Sequence, residues 1–518
     1  MAQPLPSSSA GPNEFVSSSP PSPPSPPEPE KLSFFATAKT FPRPFWMCCV
    51  MEMWERLAYF GVRVVMPIYI MQADEPGGLH FTKDDKGSIY FWWAIVASGI
   101  PMISGGFADR YGYKKLIAVS ATINIAAYVM MANMRSYWGF FASVMLLALG
   151  TALFKPGLQG TLAQSMSKKN SSVGWGLFYW LVNVGGAIGP PLAGFMHSHG
   201  WPAVFYGSAA ITTLNYAMLF TYPGVESGAD QSKGIWTVVK GTVVNIFDAK
   251  LLAVIAIFSG FWMMLYQLWD FMPNFYADWI DSSGFVKLVG FLPEAWLQKT
   301  ARGVQLKQEN ALNLNALLIV LFVVPMSFLV ARMRVLSAIT LGILIATIGT
   351  MVYGTLPSIY MVFFGILLFS LGEMLTGPKK TEYFALIAPK GKKALYLGYV
   401  NIPVAIGAAA GAKVVAALYG EKATLALRYL AEKTDHHGAG NWDGNADHLA
   451  AFVGVQRTSA VETLCNVLGQ SPNAVNQLLW DTYKPYQIWY VFGAAGLCSL
   501  IGMLVFSRMS RKWQDLDV

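Results

Sequence analysis

The sequence predicts an all-α membrane protein of twelve transmembrane helices in two six-helix bundles, on three observations. Of 518 residues, 54% are hydrophobic and only 13% charged, with a mean hydropathy of +0.42, whereas soluble domains carry about 25% charged residues. Allowing about 20 apolar residues per crossing, apolar runs fall at roughly 45–72, 87–108, 114–133, 138–164, 171–197, 202–223, 250–277, 312–333, 336–356, 358–388, 393–420 and 486–508. A polar stretch from Gly224 to Lys250 separates six runs from six.

Taken in order, residues 1–44 form a Pro/Ser-rich tail whose run SSSPPSPPSPPEPE has neither the basic start nor the apolar core of a secretory signal, so a disordered cytosolic segment is expected. An N-terminal bundle is expected over 45–223, a cytosolic linker over 224–249, a C-terminal bundle over 250–508 and a short C-terminus over 509–518. Only a turn near Pro357 and Ser358 separates the ninth run from the tenth, whereas the connections near 278–311 and 421–485 are long. With the N-terminus inside, the short inner loops hold Arg110, Lys114, Lys115, Lys168, Lys169, Arg332, Arg334, Lys390, Lys392 and Lys393, against Lys83, Lys86 and Arg135 outside. This asymmetry puts both termini in the cytosol of a multi-pass cell-membrane protein. It also places the sequon at Asn170 on the inner face, where a glycan is not expected.

The net charge of +8 sits in these short loops, so membrane topology accounts for it and no nucleic-acid partner is expected. In the second long connection, Asp435, His436, His437, Asp443, Asp447 and His448 meet neither zinc nor EF-hand spacing, so no metal is expected. Cys48, Cys49, Cys465 and Cys498 read as packing residues.

The first run carries the most informative pattern. At about 100° per residue, Glu52, Glu55, Arg56, Tyr59 and Arg63 fall within an arc of roughly 100° on one helix. A charge at bilayer depth costs about 2.5 kcal/mol or more, so this stripe faces protein or a water-filled path rather than lipid. Static helix glue is the plainer alternative, but glue seldom needs two Glu and two Arg on one helix.

The connection after the second run reads GGFADRYGYKK. Through Gly105, Asp109, Arg110, Gly112, Lys114 and Lys115 it resembles the Gly-x-x-x-Asp-Arg-x-Gly loop of the major facilitator superfamily. Gly105 permits close helix approach and Gly112 a tight turn, while Asp109 suits a helix N-terminus or a neighbouring Arg, as a latch for one rocking state would require.

A narrower resemblance joins four segments. Glu52-x-x-Glu55-Arg56-Leu57-x-Tyr59-Phe60-Gly61 is similar to the signature of proton-dependent oligopeptide transporters, with Leu57 and Phe60 as departures. GTALFKPG with Lys155, FYWLVNVG with Asn183 and the run Gly372-Glu373-Met374-Leu375 resemble that family's stretches in the fourth, fifth and tenth spans. The tail and both long connections lie outside the resemblance.

What the resemblance implies agrees with side-chain chemistry. A peptide presents a carboxylate, an amine and a polar backbone, which call for cations at one end of a site and an anion at the other. Arg63 and Lys155 are then expected to hold the carboxylate, Glu373 the amine, and Asn183 with Tyr59 the backbone, with Trp262 and Gln267 on the cavity wall. Glu52, Glu55, Arg56 and Glu373 are expected to couple protons, because protonating a buried carboxylate releases its cationic partner. The family's usual seventh-span carboxylate is replaced in FWMMLYQLWD by Leu265 and Tyr266, with Asp270 one turn further on, and Lys379 and Lys380 stand where the family has uncharged residues.

The expected function is proton-coupled symport of di- or tripeptides or similar small zwitterions by a functional monomer working through alternating access. Alternatives are another cargo (a sugar, an anion, a drug-like compound) on the same fold, or a transport-dead nutrient sensor. Without a nucleophile elbow, buried His or a Cys/His cluster, no enzyme activity is expected, and no cofactor is implied.

Overall fold

A computed structural model describes residues 38–101, 104, 108, 111–167, 170–225, 248–331, 333–387, 396, 398–433 and 445–510. Most of the N-terminal tail, the inter-bundle linker, the acidic and histidine-bearing run 434–444, and Gly105, Asp109 and Arg110 of the loop motif lie outside them.

The helices run α1 (Arg43–Met71), α2 (Lys83–Gly99), α3 (Tyr113–Asn133), α4 (Tyr137–Gln164), α5 (Ser171–His197), α6 (Trp201–Leu219), α7 (Ala249–Leu265), α8 (Leu314–Ala331), α9 (Val335–Thr355), α10 (Ile359–Leu386), α11 (Ile402–Leu418) and α12 (Gln487–Ser510). On length and composition alone, seven helices among the described residues can cross a bilayer. Of the rest, α1 carries Glu52, Glu55, Arg56 and Arg63 in its interior, so it needs protein partners at depth.

Local chemistry sets several ends. α2 begins one turn before the expected start because Thr82 and Asp85 form a reciprocal cap: Asp85 N donates to Thr82 Oγ1 at 3.2 Å, and Thr82 N donates to Asp85 Oδ2 at 3.1 Å. That turn carries Lys86 out of the expected outer loop and into the protein, where it is 3% exposed. Gly112, of the loop motif, enters α3 at φ +91°, a conformation that favours glycine.

Glycines govern the closest helix crossings. Gly185 and Gly189 of α5 lie against the Met53 and Leu57 carbonyls of α1, and a Cβ on Gly189 would stand 2.5 Å from the Leu57 oxygen. On α9 and α10, Gly342 meets Gly372 and Gly349 meets Gly365, each pair of partners on one helix being two turns apart. A Cβ on Gly372 would lie 2.5 Å from Ala346 N, so this glycine brings α10 onto α9 at the residue before Glu373. Replacing Gly365 by Val should lower the yield of monodisperse protein and its thermal midpoint, since overpacking costs about 1–3 kcal/mol. Fluorescence-detected size exclusion after heating measures both.

Two departures from the expected pattern matter for function. The seventh span is bent: α7 continues through Tyr266 to Asp270, and a further helix runs over Met272–Trp279, with Phe271 at φ −126° and Pro273 lacking an amide hydrogen at the bend. The connection after α11, expected as a loop, folds into helices Lys422–Lys433, Ala446–Val453, Ala460–Leu468 and Pro472–Tyr483, whose Leu427, Leu449, Leu464, Val475 and Leu479 are buried. Before α8, the strands Leu297–Thr300 and Gly303–Leu306 pair antiparallel, Leu297 opposite Leu306.

Candidate functional site

The stripe on α1 is buried along its length. Glu52, Glu55 and Arg56 are 3%, 2% and 5% exposed. Arg56 pairs with Glu55 and, through Nε, with Glu52 Oε1 at 3.2 Å, while its guanidinium lies 4.8 Å from the Tyr59 ring centroid. One cation between two carboxylates leaves a net negative charge, and Lys155 of α4 stands within electrostatic reach of all three. Glu52 Oε2 and Glu55 Oε1 have no hydrogen-bond partner among the described residues. These are unspent acceptors where a proton can be held.

One turn on, Arg63 is committed. It forms an ion pair with Asp270 of the bent seventh span, donates to Tyr59 Oη at 3.0 Å and lies 4.4 Å from the Trp93 ring centroid, with Tyr90 and Tyr266 also in cation–π range. In this conformation, then, Arg63 holds an internal carboxylate. Lys86 braces the same joint, its Nζ donating to the Asp270 carbonyl at 2.7 Å and to Asn274 Oδ1 at 2.6 Å.

Lys86 and Asn274 were not among the expected site residues, and neither were Gln72 and Asp278, which meet at 2.8 Å. Thr82-x-x-Asp85 is the signal that moves Lys86 inside. Nothing in the apolar pattern marks Asn274.

On the C-terminal side, Glu373 of α10 accepts from Asn315 Nδ2 at 3.0 Å, and Asn315 also donates to Ser370 Oγ at 3.0 Å. The Lys380 ammonium sits 4.1 Å from the Trp262 ring centroid, close enough to feel Glu373 and, across the interface, Lys155. Tyr179 of α5 is within electrostatic reach of Glu373 and is linked to Asn183, whose Nδ2 also bonds back to the Tyr179 carbonyl at 2.8 Å. Gln267 stands apart: it is 1% exposed, donates to the Met263 carbonyl and packs on Gly411 of α11. Lys155, Lys380 and Glu373 thus come within electrostatic reach of one another across the two halves, with Tyr179 beside Glu373, while Gln267 faces a neighbouring helix.

A sequence profile of the Major Facilitator Superfamily matches residues 53–412. The chain belongs to this superfamily. Among relatives, the uncharacterized transporter YclF of Bacillus subtilis (strain 168) is 27% identical over 182 residues, 35% of this chain and 37% of YclF. The multidrug resistance protein MdtH of Edwardsiella ictaluri (strain 93-146) is 24% identical over 326 residues, 61% of this chain and 73% of MdtH. The chain therefore spans little more than a third of YclF. In fold, it is similar to the crystal structure of a POT family transporter in complex with a thioalcohol-conjugated peptide, with a TM-score of 0.63 and 15% identity, covering 92% of this chain and 100% of that one.

Among the described residues of this Major Facilitator Superfamily protein, several side-chain hydrogen bonds join the two halves between Arg63 and the end that bears the long connections, and one, at Ala187, lies deeper. Besides the Arg63 joint, Gln308 Nε2 donates to the Val64 carbonyl at 3.1 Å, Asn313 Nδ2 to the Ala187 carbonyl at 2.7 Å and Lys307 Nζ to the Gly194 carbonyl at 3.1 Å. Gly87 of α2 lies so close to α11 that a Cβ there would be 2.5 Å from the Ala416 methyl. The long-connection end is sealed, and the cross-half neighbours deeper in, Lys155 with Lys380 and Glu373 with Tyr179, interact through charge without a hydrogen bond between them.

Proposed function

We propose that the protein is a proton-coupled symporter of di- or tripeptides or similar small zwitterions, with both termini in the cytosol and the monomer as its working unit. The observation that carries this reading is the Arg63–Asp270 pair, which ties the halves together, with Lys155, Lys380 and Glu373 in electrostatic reach across the same interface. A proton arriving at Asp270 removes the charge that holds Arg63. The freed guanidinium then presents its planar fork to a substrate carboxylate, while Glu373 takes the amine. Proton and cargo so bias the same two-state equilibrium, as symport requires. Asp270 fills the role left vacant by the missing seventh-span carboxylate, and Glu52, Glu55 and Arg56 provide a second proton-sensitive cluster.

In alternating access, the halves over 45–223 and 250–508 would rock about this joint, with 224–249 as their link. The test is uptake of labelled dialanine into proteoliposomes under an inward proton gradient. Accumulation above equilibrium is expected; none for any di- or tripeptide would overturn the reading. Glu55→Gln should abolish gradient-driven uptake while sparing counterflow, and equal loss of both would instead indicate misfolding. The MdtH similarity and the Trp262–Tyr266 pair, 5.5 Å between centroids, favour an aromatic drug-like cation as the second reading. Competition of such a cation with labelled dialanine separates the two.

A further inference from the structure

Two lysines of α10 stand where the family resembled in sequence has uncharged residues, and only one of them is neutralised. Lys379 pairs with Glu382 at 2.9 Å, one turn further along the helix. Lys380 is 7% exposed, and its Nζ has neither an ion pair nor a hydrogen bond among the described residues; the ammonium rests over the face of Trp262 instead. It lies two turns from Glu373 on the same face of α10, and its charge feels that carboxylate and, from the opposite half, Lys155. Lys155 likewise touches no carboxylate among the described residues. The side-chain atoms that are both wholly enclosed and unpartnered include neither nitrogen, so each ammonium keeps some open surface.

The other charges of the site cancel in groups. Arg63 is matched by Asp270, while Arg56 and Lys155 together offset Glu52 and Glu55. Glu373 is then the countercharge of Lys380. In the transport reading, the amine of the cargo claims Glu373 and a carboxylate claims Arg63, which leaves Lys380 uncompensated and still repelled by Lys155. A charge held away from water without a partner is costly, and a peptide with neutral side chains does nothing to relieve it. A second carboxylate on the cargo does. Because Lys380 neighbours the anion assigned to the amine, that carboxylate belongs on the side chain of the first residue.

We propose that Lys380 is a specificity-determining residue that selects peptides with an acidic first side chain, whose carboxylate replaces Glu373 as the partner of the ammonium. This cargo class rests on the transport reading above and narrows it. The test is competition of glutamyl-alanine, dialanine and lysyl-alanine with labelled dialanine for uptake by the full-length protein in proteoliposomes. Glutamyl-alanine should compete about tenfold more tightly than dialanine, and lysyl-alanine more weakly than either. Lys380→Gln should erase this ranking and Lys380→Arg should keep it. Lys380→Glu should invert it, an exchange of preference that a loss of folded protein cannot produce. The wild-type ranking needs no variant to fold. Equal competition by the three peptides in wild type, or a ranking unchanged in Lys380→Gln, would overturn the assignment and leave the transport reading standing. No uptake of labelled dialanine, with no competition by any of the three, would overturn both.

Discussion

Asp270→Asn is expected to abolish most gradient-driven uptake and to preserve counterflow. The amide mimics the protonated carboxyl in shape and hydrogen bonding, so the loaded carrier still exchanges, yet no proton can be taken up or released at that position. Removing one partner of a buried ion pair costs about 3–5 kcal/mol in the state that contains it, and here that state is the one sealed at the long-connection end. Coupled accumulation is expected to fall to about one-tenth of wild type or less, the loss that follows from 1.4 kcal/mol or more. Asp270→Glu, which keeps the charge, should recover part of it. Parallel assays of uptake under an inward proton gradient and of counterflow without one measure both, and coupled uptake within about twofold of wild type would take Asp270 out of the coupling step.

The second large effect is expected at Arg457, which the sequence places in a hydrophilic connection and the structure places 6% exposed. Its Nη2 donates to the His80 and Phe81 carbonyls, at 2.6 and 3.0 Å, and its Nε lies 3.5 Å from Glu421 Oε2. One side chain from the helices after α11 therefore fastens them to the turn between α1 and α2. Arg457→Ala leaves Glu421, 3% exposed, without its cation and two carbonyls without a donor. Amide exchange around 78–86 and 446–460 should quicken by about a hundredfold, equivalent to about 2.7 kcal/mol, and the thermal midpoint should fall. Arg457→Lys should rescue little, because one ammonium cannot reproduce a planar fork that reaches three acceptors. Unchanged protection in both segments would mean that apolar packing alone holds these helices down.

How much of this was legible in the sequence depended on the length of the signal. Bilayer-length apolar runs dominate any local pattern, so most span ends fall within about a turn of the helices, apart from α2, which ends at Gly99 and not near 108, and α11, which starts at Ile402 and not near 393, and the polar stripe of α1 read correctly as buried. The helices at 422–483 escaped because their lengths of 8–12 residues fall well short of a crossing and their polar faces dominate the composition. Lys86 was read as an outer-loop charge because hydropathy starts the span at the first apolar residue, whereas the Thr82 cap starts the helix earlier. Asp270 was visible as a displaced carboxylate, yet its partner was not: residues 63 and 270 meet only when the two halves are folded against each other, a pairing no single run encodes. Gln267 shows the reverse limit, since one helical position decides whether an amide faces a chamber or a neighbouring backbone.

The bend that follows α7 at Phe271 has a mechanical corollary. Trp262 and Asp270 sit on the upper arm of this elbow, and Asn274 and Asp278 on its forearm. A bend there would swing the two residues that grip Lys86 and Gln72 clear together while the glycine-stitched α9 and α10 stay rigid, so the end that bears the long connections can unlatch with little disturbance to Glu373.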